Sequence, residues 1–256
     1  MEKTLGVGAM RIFAIGDPHL SSVKPKPMSV FGPRWAGHPD LLFQEWSRVV
    51  GERDLVMIPV DLSWAMTLQE AMPDLEAIAS LPGKKVIVRG NHDYWWPSIS
   101  KLRAALPDGM WVIQNDALVF DDIVIAGTRG WTCPGSNGFT AEDQKIYQRE
   151  LQRLDLSLKA ASQSDGSRLV VMLHYPPTNS RLEPSGFTER LIQADPEIIV
   201  YGHLHTEQHV QVPLMGKADV HFVAADALGF TPKVVGTYGK ARMEQSSLSK
   251  DQINQG

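Results

Sequence analysis

The chain has one cysteine, Cys133, in 256 residues. That excludes an intrachain disulfide and a cysteine-built zinc cage, and gives no sign of an oxidising compartment. No window approaches 18 uninterrupted apolar residues, so no membrane-spanning helix is expected. Met1 to Ala9 lacks the basic segment and apolar run of a secretory leader. Positive charge is also short. With 25 Lys and Arg against 29 Asp and Glu, the net charge is −4 with neutral His, which excludes a protein that coats nucleic acid through a polybasic surface. No internal repeat or low-complexity linker interrupts the chain. The expectation is a soluble, cytoplasmic protein with no membrane partner and no stable nucleic-acid complex; its oligomeric state is left open.

What is present suits a packed core: 43% hydrophobic and 21% charged residues are ordinary globular proportions. The order of segments predicts an α/β domain over 10–240, with tails at 1–9 and 241–256. Arg11 to Gly16, Asp54 to Val60 and Lys85 to Val88 read as buried strands, separated by helical spacing over Leu41 to Val50 and Leu68 to Leu81. Pro82-Gly83 stops the second helix, and Pro107 closes a short one over Ile99 to Leu106. Trp111 to Ile113, Ala117 to Phe120 and Ile123 to Ala126 read as a local β-meander, turning through Asp121-Asp122. A long polar helix over Ala141 to Ala160 precedes two further buried strands, Leu169 to Leu173 and Ile198 to Val200. Val220 to Val235 is again β-like.

The polar residues fall at particular places. Asp17 and His19, Asp61, Asn91 and His92, His174, and His203 with His205 each stand at or just beyond the end of an apolar run. Ligands of open α/β sheets bind outside the carboxyl ends of the strands, so these positions should converge on one crevice. Residues two apart in extended backbone point the same way, so Asp17 with His19, and His203 with His205, can each offer two ligands to one centre. A mixed Asp, Asn and His set favours manganese, iron or zinc over an all-oxygen calcium site. A single histidine at a strand end is more often a hydrogen-bonded structural residue, but five of the eight histidines lie in these few positions. His38, His209 and His221 do not.

In order, Gly16-Asp17-Pro18-His19, Asp61, Gly90-Asn91-His92-Asp93, His174 and Gly202-His203-Leu204-His205 resemble the calcineurin-like metallophosphoesterases of bacterial type, with their GDxH, GD, GNHD, H and GHxH motifs. The resemblance implies a four-layer α/β fold, a central β-sandwich flanked by helices. It implies that Asp17, His19 and His205 hold one divalent metal ion, that Asn91, His174 and His203 hold a second, and that Asp61 bridges them. It also implies hydrolysis of phosphomonoesters or phosphodiesters, with nucleotides among the candidate substrates, by a metal-bound hydroxide, with His92 as general acid toward the leaving oxygen or as a holder of the phosphate. One position departs from the pattern: where the family has Gly before the bridging aspartate, this chain has Val60.

Around these motifs, Trp64, Trp95, Trp96 and Trp131 are candidates for an aromatic rim or for core, and Arg129 and Arg181 for phosphate contacts. Asp93 either orients His92 or caps the helix that follows. A protein phosphatase is disfavoured, because Asp61 is followed by Leu-Ser-Trp-Ala and not by the extended motif of that branch. The competing class is a non-catalytic metal-binding scaffold of the same fold.

Overall fold

Strands buried on both faces read as unbroken apolar runs, and here those runs build two parallel-rich sheets. The computed structural model describes residues 9–205 and 210–239; the expected tails fall almost wholly outside these residues, as does His209. The first sheet has β1 (Met10–Ala14), β2 (Leu55–Pro59), β3 (Lys84–Val88) and β4 (Met110–Val112) side by side and parallel, with β10 (Lys233–Tyr238) antiparallel on the outer edge of β1. The second repeats the plan. β6 (Ile123–Thr128), β7 (Arg168–Leu173), β8 (Ile198–Tyr201) and β9 (Asp219–Phe222) are parallel, and β5 (Ala117–Phe120) is the antiparallel edge.

Alternation along each strand sorts the side chains into three cores. Ile12, Ala14, Leu55, Met57, Val86 and Val88 of the first sheet meet Ile123, Ile125, Val170, Met172 and Val200 of the second, forming the filling of a sandwich. The opposite face of the first sheet, with Phe13, Val56 and Ile87, is covered by α1 (His38–Val49), α2 (Leu68–Ser80) and α3 (Ile99–Ala105) through Leu42, Trp46, Leu75, Ile78 and Leu102. The outer face of the second, with Val124, Val171 and Ile199, packs on α4 (Ala141–Ser162) and α5 (Gly186–Ala194) through Leu151, Leu154, Phe187 and Leu191. The four layers are therefore helix, sheet, sheet, helix, as the resemblance implied.

Three local expectations need correction. The strands between 110 and 128 form no meander, because β4 pairs with β3 in the first sheet while β5 and β6 form a hairpin in the second. The chain changes sheets at Asn115, which adopts a left-handed φ of 65°. Val220 to Val235 is likewise divided, into β9 and β10 of different sheets. The nine-residue α5 had no counterpart in the sequence reading; its start is fixed by Ser185, whose hydroxyl accepts from the amides of Phe187 and Thr188.

Val60 leads straight from β2 toward the site. It is fully buried, its amide donates to the Val88 carbonyl at 3.4 Å, and it is absent from the residues with positive φ, whereas the next residue, Asp61, has φ 62°. The backbone freedom of glycine is thus unused at 60. Val60→Gly should lower stability by about 2 kcal/mol, from the lost apolar burial and the added chain entropy, with no gain in metal affinity. Denaturant melts combined with metal titration check this.

Candidate metal centre

Because both sheets run their parallel strands toward the same end of the sandwich, their carboxyl-terminal loops meet there. Gly16, just after β1, pairs with Ala224, just after β9, in an isolated parallel bridge that ties the two sheets at this rim. Asp17 and His19 follow β1, Asp61 follows β2, Asn91 and His92 follow β3, His174 follows β7, and His203 and His205 follow β8. All eight sequence-predicted residues come together. Asp17, His19, Asp61 and His203 have left-handed backbones, with φ between 48° and 72°; such strain persists only where surrounding contacts enforce it. Asp17 Oδ2 accepts from the His203 amide at 2.9 Å, and Asp61 Oδ1 accepts from the His92 amide at 2.8 Å.

Two glycines make this closeness possible. A Cβ on Gly90 would stand 2.7 Å from the Asp61 amide nitrogen, and one on Gly202 would collide with the Asp17 carboxylate. Asp93 completes the frame, though in neither of the roles expected for it. Fully buried, it accepts from the Gly90 amide at 2.7 Å and from the Leu62 amide and Trp95 indole at 3.0 Å. It thereby fastens the loop of Asp61 to the loop of Asn91, while Ser98 stands at the N-cap of α3.

The donor atoms form two groups. One oxygen or nitrogen from each of Asp17, His19 and His205 lies within 4.8 Å of the others, and the same is true of Asp61, His174 and His203. Asn91 Oδ1 joins the second group, 2.7 Å from His174 Nε2. Ring orientation suits a cation. His174 Nδ1 lies 3.4 Å from the Pro59 carbonyl, so it carries the proton and leaves the Nε2 lone pair toward Asn91, Asp61 and, at 3.2 Å, His203 Nδ1. His205 Nδ1 faces Asp226 at 3.1 Å, leaving its Nε2 3.0 Å from His19 Nε2. Two nitrogen–nitrogen approaches and an Asp17 Oδ1 without a hydrogen bond are what a site shaped for positive ions shows when only protein atoms are counted. The residues fit a pair of divalent metals.

Electrostatics point the same way. Burial pushes the Asp17 carboxyl up to about 7, against the pull of His205. Burial, with Asp93 and Asp17 nearby, also raises Asp61. Burial lowers His174 and, with His205 and His92 adding repulsion, brings His203 down to about 4. His205 is raised, since its Asp226 bond and the charges of Asp17 and Asp226 outweigh burial. In metal-free protein, Asp17 therefore holds a proton folded that it releases unfolded. Its contribution favours folding below the ordinary value of 3.8 and fades as pH rises to about 7. His203, lowered from 6.5 to about 4, contributes with the opposite sign over much of this range, so the melting temperature does not isolate Asp17. Metal binding does, because Asp17 must give up its proton to hold an ion, and divalent ions should bind more tightly as pH rises to about 7. Metal affinity that stays flat or falls between about pH 4 and 7 would contradict this.

Several neighbours had no sequence assignment. Asp226 is buried between His205 and Arg34, whose Nη2 lies 2.7 Å from its second oxygen. It stands just past β9, at the end of Val223-Ala224-Ala225, so the pattern of polar residues after apolar runs pointed to it. Lys26 lies 3.2 Å over the Trp64 ring, in a loop without periodicity to signal it. His38 is structural: its nitrogens lie 3.1 Å from the Trp35 and Pro18 carbonyls, behind the first motif. Of the rim candidates, Trp95 and Trp96 are core, while half-buried Trp64 stacks on His19 at 4.9 Å and lies 4.6 Å from His92. Trp131 packs 5.0 Å from Tyr175. Neither arginine is a ready phosphate contact, since Glu150 engages Arg129 at 2.9 Å and Glu183 engages Arg181 at 2.8 Å.

Comparison with known proteins agrees with the architecture. TT1561 of Thermus thermophilus superposes with a TM-score of 0.53 at 12% identity, over 90% of this chain and 99% of that one, a likeness of fold. AQ665 of Aquifex aeolicus, a protein of unknown function, gives a TM-score of 0.43 at 12% identity, over 87% and 94% of the two chains. No curated protein sequence matches the chain. The sequence model of the calcineurin-like phosphoesterases matches residues 10–207, from the first strand to just past His205, and the chain belongs to that family.

Proposed function

We propose that the chain hydrolyses phosphate esters with two divalent ions, manganese, iron or zinc by the donor set. Asp17, His19 and His205 would hold one, Asn91, His174 and His203 the other, with Asp61 shared. Such a pair, when bound, supplies Lewis acidity toward a phosphoryl group and acidifies water near neutral pH. The observation that carries the reading is the pair of three-residue donor groups drawn from separate strand ends.

The remaining work falls to side chains. His92, half-buried and with Nδ1 free of hydrogen bonds, sits beside Trp64 and 6.2 Å from the exposed Tyr94 ring. It is the group that protonates the departing oxygen. Burial, then Lys26 and His205, lower its pKa, so it rests neutral; an arriving phosphate dianion offsets the positive charge around it and lets it take up the proton it delivers. Lys26 supplies the nearby positive charge that draws the phosphate toward His92. Asp226 fixes the His205 tautomer with Nε2 presented to the ion. Asp226→Asn should weaken the ion at Asp17, His19 and His205 by about 10- to 100-fold and leave the other nearly unchanged, as read by metal titration.

The test is a panel of phosphomonoesters, bis(p-nitrophenyl) phosphate, cyclic nucleotides and single-stranded nucleic acid, each with Mn, Mg, Zn and Fe. Metal-dependent release of phosphate or alcohol from a small ester is expected. A protein that binds both ions and cleaves nothing would instead be a scaffold.

A further inference from the structure

Three arginines border a narrow cleft at the same end of the sandwich as the metal centre. Arg89 follows β3 and precedes Asn91 by two residues, Arg129 follows β6, and Arg153 stands on α4. The cleft shares its loops with the second donor group. Arg89 Nη2 lies 3.4 Å from the carbonyl of Asp93, the residue after His92, and the Arg129 carbonyl accepts from the His174 amide at 3.1 Å.

One carboxylate serves this cluster, and both its oxygens are engaged. Fully buried Glu150 accepts from Arg129 and Arg153 on Oε1, each at 2.9 Å, and from the Thr128 hydroxyl on Oε2 at 2.7 Å. Half-buried Arg89 pairs with no carboxylate among the described residues, since the Asp93 side chain is taken by the Gly90 and Leu62 amides and the Trp95 indole. Arg89 Nε, like Arg129 Nε, is buried without a hydrogen bond. Burial first, then Arg129 and Arg153 against Asp93 and Glu150, lower the Arg89 pKa, so positive charge is in excess here. A half-buried guanidinium in that field is unfavourable alone and is satisfied by an anion that accepts from its fork. The space is about 10 Å³, room for one water-sized atom. One oxygen of a carboxylate or phosphate group enters it while the rest of the molecule stays outside.

We infer that this cleft receives a second anionic group of the substrate, a carboxylate or phosphate that the reaction leaves intact, with Arg89 as its partner. The inference rests on the phosphoesterase reading and deepens it, because it selects small esters that carry two anionic groups. 3-Phosphoglycerate and glycerol 3-phosphate differ by a carboxylate in place of a hydroxymethyl group, as do 6-phosphogluconate and sorbitol 6-phosphate over a longer reach. In at least one pair the carboxylate ester should be cleaved with kcat/KM about 10- to 100-fold higher, the effect of one hydrogen bond to a charged group, and chiefly through KM. All four release primary alkoxides, so leaving-group basicity does not explain the gap. Arg89→Gln should bring the ratio toward one. Arg153→Gln, which removes a more exposed charge, should lower it about 2- to 5-fold. Melting curves and metal content establish that each variant is folded and loaded. A ratio near one in both pairs, or one that survives both substitutions, overturns the inference.

A binding measurement separates the cleft from the activity. 4-Phosphonobutyrate carries both anionic groups and has no ester bond to lose. Added to zinc-loaded protein, it should shift the Arg89 Nε–H signal in nitrogen-15 NMR, identified by its loss in Arg89→Gln, at concentrations where butylphosphonate and inorganic phosphate do not. If no ester is cleaved but the signal responds in this way, the phosphoesterase reading fails and the cleft assignment stands. If esters are cleaved and the signal stays still, or inorganic phosphate moves it as readily, the cleft is no substrate subsite and the inference fails.

Discussion

Asp61→Asn should release both metal ions together and abolish activity, with a loss in metal affinity exceeding the 10- to 100-fold typical of disturbing an outer partner. Asp61 is the carboxylate we propose to be shared between two cations, and in the protein alone it is buried with its pKa raised by burial and by Asp93 and Asp17. The substitution therefore acts with opposite signs in the two states. Asparagine keeps the Oδ1 acceptor for the His92 amide and removes a charge that is costly to bury, so metal-free variant should be at least as stable as metal-free parent. Loaded protein should lose the stabilisation that the ions provide. Melting temperatures with chelator and with manganese check both arms. A fall in stability with chelator would mean Asp61 is a structural residue first.

His92→Ala should leave metal content unchanged and lower turnover by about 10²- to 10⁴-fold on esters with poor leaving groups. No donor group requires the His92 side chain: Asp61 is engaged by its backbone amide, and its Nδ1 makes no hydrogen bond. The loss should shrink as the leaving group becomes a better one, because a phenolate needs less protonation than an alkoxide. Rates across aryl and alkyl phosphates give the slope. Equal losses across the series would assign His92 to phosphate positioning.

Much of this was legible in the sequence, for physical reasons that differ by element. β1, β2, β3, β7 and β8 are buried on both faces, so each appears as an apolar run, and each ends in a residue such as Asp17 or His174 that has no place in a core. The two-residue spacing of Asp17 with His19 and of His203 with His205 carried across to the structure, although in loops with left-handed φ at Asp17, His19 and His203 and not in regular extended backbone. What an apolar run does not encode is its sheet. Trp111 to Ile113 and Ala117 to Phe120 look alike in sequence, yet β4 joins β3 and β5 joins β6, a division made by a turn at Asn115 and by packing between layers. The site was legible where chemistry coincides with strand ends. It was not legible in supporting contacts such as Lys26 over Trp64 or Arg34 on Asp226, which arise when distant loops are brought together.

On the proposed reading one chain holds two metal ions with a shared carboxylate. Elemental analysis of protein loaded with manganese and freed of excess ion tests it most directly, paired with titration of the metal-free form. Two ions per chain are expected for the parent, and none retained by Asp61→Asn. A single ion per chain, or a variant that keeps one site at full affinity, would contradict it.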